Sequence, residues 1–149
     1  MRSHSAVAVL AALALTASAH AQAPAIKWGP APAILPAGVR MAVLAGDPGQ
    51  PGVFTLRLEL PAGTRVLPHF HPTDEYLTVI SGTFILGMGD SVDVAKATAL
   101  PAGAFGTVAA NMHHYAVARG KTVVQVSGMG PFVLTYVNPQ DQPKTASNK

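Results

Sequence analysis

The chain is 149 residues long, carries a formal charge of +3, has no cysteine, and spreads 14 glycines and 13 prolines along its length. Disulfide staples, thiolate ligands and a cysteine nucleophile are therefore excluded. Lys and Arg form no cluster, which argues against nucleic acid, because phosphate binding needs a concentrated positive face. The length is that of one ordinary domain.

The first element reads as a signal peptide over residues 1–21. Arg2 supplies a short basic start, residues 6–17 an apolar run, and Ala19-His20-Ala21 a small-x-small cleavage site before Gln22. The run falls short of the roughly 20 residues a helix needs to span a bilayer. Cleavage fits better than anchoring, so the mature chain is expected to be periplasmic or secreted, with no membrane contact afterwards. Residues 22–52, rich in Pro, Gly and Ala, read as an extended N-terminal arm with one short strand at 40–44.

Alternation becomes clear from residue 53. Phe54, Leu56, Leu58 and Leu60 share one face, and Thr55, Arg57 and Glu59 the other, as in a half-buried strand. Similar runs follow at 75–80, 83–88, 105–108, 114–118, 122–127 and 132–137, each bounded by Gly, Pro, Asn or Asp. Such spacing predicts an all-β sandwich or barrel over residues 53–138. Residues 91–99 are the best helix competitor, but Val92 and Val94 alternate instead. Residues 139–149 are polar, contain Pro139 and Pro143, and read as a flexible C-terminal tail.

Once residues 1–21 leave, the histidines are His69, His71, His113 and His114. Side chains two apart on a strand share a face, so His69 and His71 can point into a barrel together while Phe70 points away. Adjacent His113 and His114 cannot both point inward, and His113 is read as an outer-surface residue. Three imidazoles with one nearby carboxylate make a four-ligand set suited to one divalent first-row transition metal. Asp74 should point away and be solvated, and Tyr76 and Tyr115 have the parity of packing residues. Gln125 is the remaining polar side chain that could approach a substrate. Phe54, Leu77, Val79, Phe84, Leu86, Phe105 and Phe132 are read as core or pocket wall. No serine lies in a nucleophile elbow, and no phosphate loop occurs.

The run Gly63-x5-His69-x-His71-x3-Glu75-x6-Gly82 resembles the first motif of the cupin family at every fixed position. The resemblance implies a single antiparallel jelly-roll barrel in which His69, His71 and Glu75 are metal ligands. The family's second motif can be set in register only from Gly103. It then places Ala109 where the family has proline, Asn111 where it has glycine, His114 at the ligand and Ala118 where it has asparagine. Asn111 is a tolerable substitute, because asparagine enters the left-handed backbone region more readily than most residues. The resemblance also covers the Gly128-Met129-Gly130-Pro131-Phe132 segment.

Membership of such a family implies metal-dependent chemistry on a small organic molecule. Apart from Glu75 the inward residues assigned above are apolar, which leaves no obvious acid or base for proton transfer. Dioxygenase-type oxidation is therefore favoured over lyase or isomerase chemistry. The alternative is a non-catalytic periplasmic cupin that binds a metal or small ligand. Iron, manganese, copper, zinc and nickel all remain open as the metal. The extended arm could also serve a homodimer through strand or arm exchange.

Overall fold

The computed structural model describes residues 25–144. The expected signal peptide lies outside the described residues. Nine strands and a single 3-10 turn make up the described secondary structure: β1 Gly29–Pro30, β2 Arg40–Ala45, β3 Gly52–Leu60, β4 Arg65–Phe70, β5 Glu75–Met88, β6 Thr98–Pro101, β7 Phe105–Val108, β8 His114–Gly130 and β9 Thr135–Tyr136, then the turn Pro139–Asp141. All pairings are antiparallel.

The long strands β5 and β8 organise the molecule. They pair with each other from Glu75↔Gly128 to Met88↔His114, through register shifts around Ser81. The C-terminal half of β8 adds β3 on its other side, and β3 adds β2. Its N-terminal half adds β4, which adds β9. The start of β5 carries β7 and its end carries β6. The pairing thus resolves into two halves, β2-β3-β8-β5-β7 and β9-β4-β8-β5-β6, continuous through the same two strands and curled around one core.

The expected strands at 75–80 and 83–88 are one strand bent at the Ser81–Gly82 dipeptide, and those at 114–118 and 122–127 are likewise one strand bent at Gly120. Gly82 has φ of 78°, and a Cβ there would collide with the Lys121 carbonyl. Only glycine lets the two long strands cross at that corner. Three strands went unexpected, the two-residue β1 and the longer β4 and β6. Pro68 interrupts the alternation of β4, and β6 is a four-residue edge. The run expected at 132–137 forms only the two pairs of β9.

Alternation sets the core. Phe54, Leu56 and Leu60 of β3, Leu77, Val79 and Phe84 of β5, and Ala116, Ala118, Val124 and Val126 of β8 are buried together with Val66, Val108 and Tyr136. Phe105, expected inside, is 61% exposed. It lies opposite Thr78 on the outer face, because β7 meets β5 in the register that turns Gly106, not Phe105, toward Leu77. The arm is not free chain: Val39 and Ala42 are buried, and Gly38 packs against Pro61. The 91–97 segment forms turns that cover the outer face of β8. There the buried Tyr115 hydroxyl accepts from the Asp93 amide at 3.0 Å and donates to its carbonyl at 2.7 Å. No helix of the described residues is long and apolar enough to cross a membrane.

Candidate metal centre

Register brings the expected ligands together. His69 near the end of β4 lies directly opposite His114 at the start of β8, and their rings approach to 4.1 Å between centroids. His71 follows β4 in the connection to β5, with its ring 5.1 Å from His69 and 5.3 Å from His114. Glu75 opens β5 and directs Oε2 to 3.2 Å from His114 Nε2 and 3.9 Å from His71 Nε2. All four side chains are buried. The potential ligand atoms of the three histidines lie within 4.8 Å of one another.

The backbone fixes which ring nitrogen faces inward. The Nδ1–H of His69 donates to the Leu67 carbonyl at 2.7 Å, that of His71 to the Val133 carbonyl at 2.8 Å, and that of His114 to the Met112 carbonyl at 3.0 Å. A carbonyl can only accept, so each neutral ring must keep its proton on Nδ1 and offer a lone pair at Nε2. Burial lowers the His69 pKa to about 2, helped by the neighbouring His114, and burial also lowers that of His71 against the pull of Glu75. Both are therefore neutral at ordinary pH. The Glu75 carboxylate oxygen lies 3.2 Å from His114 Nε2, so a cation held between the two would meet a donor from each.

These donors fit a metal ion. At tetrahedral angles two imidazole nitrogens on one ion lie about 3.4 Å apart, so donors that now lie within 4.8 Å of one another would draw in by up to about 1.4 Å. His69, His71, His114 and Glu75 would hold the ion, and the three carbonyls would orient the rings, as outer partners of metal-bound histidines do.

One of the second motif's substitutions, Asn111, has a structural account. Asn111 has φ of 61° and is the one non-glycine residue in the left-handed region among those described. Its amide donates to the His71 carbonyl at 2.7 Å, tying the turn before β8 to the connection that carries His71. Asp74 is exposed as expected. It is not merely solvated, for its Oδ1 accepts from the Ala110 amide at 2.8 Å and anchors the same turn. His113 faces outward, pairs with Asp90 and stacks on Phe70. Tyr76 is exposed, Tyr115 packs under the 91–97 turns, and Gln125 accepts from Arg57 Nε at 3.1 Å. None of these three lines the cavity.

Above the histidines lies a cavity of about 160 Å³, walled by β3, β4, β5, β8, the 132–134 segment and the arm. Phe132 stacks on His71 at 4.0 Å between centroids and 18° between planes, and touches Phe54. Ile34 and Leu35 of the arm also face the cavity. The Tyr136 hydroxyl holds them there by donating to the Ile34 carbonyl at 2.9 Å. The arm's role, the Tyr136 contact and the orienting carbonyls were not legible in the sequence, since a carbonyl has no residue signature and Tyr136 lies 102 positions from Ile34.

No protein-family model and no curated protein matches the sequence significantly. Solved structures do match. A candidate acetylacetone dioxygenase from Methylibium petroleiphilum PM1 superposes with a TM-score of 0.61 at 24% identity, over 80% of this chain and 81% of that one. An RmlC-like cupin from Shewanella frigidimarina NCIMB 400 gives 0.55 at 16% identity, over 70% of this chain and 83% of that one. The chain has the cupin fold. The polyketide cyclase RemF from Streptomyces resistomycificus shares it, with a TM-score of 0.66 at 16% identity over 79% of this chain and 84% of that one. The expected jelly-roll architecture is met. The cupin barrel itself selects no reaction, since proteins named for different activities share it.

Proposed function

We propose that this cupin is a metal-dependent enzyme that oxidises a small organic substrate with dioxygen, using one divalent transition metal held by His69, His71, Glu75 and His114. The observation that carries the reading is the convergence of three Nε2 lone pairs and a carboxylate at one end of an apolar cavity. Bound there, a redox-active metal supplies Lewis-acid polarisation of a substrate oxygen and electrons for dioxygen. The chain's own part is orientation and exclusion. The Leu67, Val133 and Met112 carbonyls hold the rings, Phe132 fixes the plane of His71, and the aliphatic walls keep bulk water from the reacting atoms.

Among the described residues, Glu75 is the one carboxylate that lines the cavity. Once it and the three histidines are engaged at the metal, the described lining offers no further acid or base for proton-transfer chemistry, which favours oxidation over lyase or isomerase reactions. The similarity of fold to a candidate acetylacetone dioxygenase supports the same choice. The same poverty of acids and bases supports a second reading, a cupin that binds a metal or small ligand without turnover. The N-terminal segment supports a periplasmic or secreted setting for either.

Elemental analysis of the purified protein, followed by oxygen uptake with enolic and phenolic compounds, tests the proposal. The expected result is about one metal per chain, lost in His71→Ala, with substrate-dependent oxygen consumption. Stoichiometric metal with saturable ligand binding and no oxygen uptake selects the second reading. A metal content far below one per chain and unchanged by His71→Ala overturns both.

A further inference from the structure

The cavity has a polar pole and an apolar body. Among the described residues, His69, His71, Glu75 and His114 are the only polar side chains that line it, and the remaining seventeen are aliphatic, proline, methionine or phenylalanine. The four polar groups gather where the end of β4 and the start of β5 meet the start of β8. Away from them the walls are built by residues such as Leu58, Leu60, Phe84, Leu86 and Val124, with Leu35 closing from the arm.

We infer that the ligand of this cavity is a small, mostly hydrocarbon molecule of about six to ten non-hydrogen atoms, with a single oxygen-bearing head directed at the histidines. The assignment of the head rests on the metal-site reading above, whereas that of the body rests on the walls. Size follows from volume: the 160 Å³ is close to the roughly 150 Å³ of an apolar cavity that accepts benzene. Chemistry follows from desolvation. A hydroxyl, amine or second carboxylate on the body would leave water and meet no side-chain partner, and unpaired burial of a hydroxyl weakens binding about tenfold or more. Sugars, sugar acids and dicarboxylates are thereby disfavoured. A methylene added within the cavity should strengthen binding about fourfold.

Calorimetry with the redox-silent zinc-loaded protein tests this, using straight-chain monocarboxylates of increasing length, and gluconate against hexanoate. Affinity is expected to rise about fourfold per methylene until the cavity fills, at about eight carbons. Gluconate should bind at least a hundredfold more weakly than hexanoate. Leu35→Trp, on the arm rather than in the buried barrel core, should end the rise two or three carbons earlier, with zinc stoichiometry unchanged. Affinity independent of chain length, or gluconate binding equal to hexanoate, overturns the inference. Zinc content is measured on the same samples, so failure of the metal site is seen separately. If no zinc is taken up, neutral 2-alkanones titrated into the metal-free protein decide the body: a rise with chain length supports the apolar occupant, and its absence overturns it.

Discussion

His69 shows how one residue's surroundings set its chemistry. Its ring is buried beside two other imidazoles, its Nδ1–H is committed to the Leu67 carbonyl, and its pKa falls to about 2. In the unfolded chain the same ring takes up a proton near pH 6.5. Below that pH the unfolded state binds protons that the folded state refuses, so stability is complete above about 6.5 and is lost as the pH falls. The loss approaches about 1.4 kcal/mol per pH unit for each such histidine, and His71 adds to it in the same direction. For metal-free protein, urea midpoints should be level between pH 7 and 8 and should decline between pH 6.5 and 5, with a shallower decline in His69→Gln. A midpoint constant from pH 8 to 5 would contradict the neutral, buried assignment. The motif residues at this scale were legible because imidazole and carboxylate are rare in a chain so apolar. Their tautomers were not, because these depend on carbonyls brought in from other segments.

At the scale of elements, the arm and the long β5–β8 pair position everything else. The Tyr136 hydroxyl joins β9 to the arm across the cavity through the Ile34 carbonyl. Tyr136→Phe keeps the ring and removes that bond. It should lower unfolding stability by about 1 kcal/mol and admit longer monocarboxylates, while metal content stays at the wild-type value. Calorimetry and elemental analysis on the same variant check both halves, and an unchanged chain-length limit would show that the arm is not held by this contact. The sequence pattern identified β2, β3 and β7 to within a residue, since 53–60 alternates cleanly and turn residues bound the others. It missed β4, where Pro68 and the two histidines break the alternation. It divided β5 and β8 at Ser81–Gly82 and Gly120, because a glycine that bends a strand reads the same as one that ends it.

On the scale of the whole molecule, the site joins parts of the chain that lie apart in sequence. His69 and His71 come from β4 and its exit, Glu75 from β5 and His114 from β8, so an ion bound by all four would link both halves of the barrel. Metal binding only to the folded state stabilises it by about 2.7 kcal/mol when free metal is a hundred times the dissociation constant. The melting temperature should therefore rise with zinc and return on chelation, with no such response in a His69→Ala, His114→Ala double variant. A melting temperature indifferent to metal in the wild type would count against a shared site. By itself the sequence determined the all-β class, the complete first motif with its glycine corners, and the histidine clusters, because these rest on local periodicity and on residue chemistry over short spans. Only the tertiary structure decided that His114 lies opposite His69, that the Glu75 carboxylate lies 3.2 Å from the His114 ring, and that the arm and Phe132 line an apolar chamber above them. Those contacts join residues tens of positions apart, through strand register that no local pattern encodes.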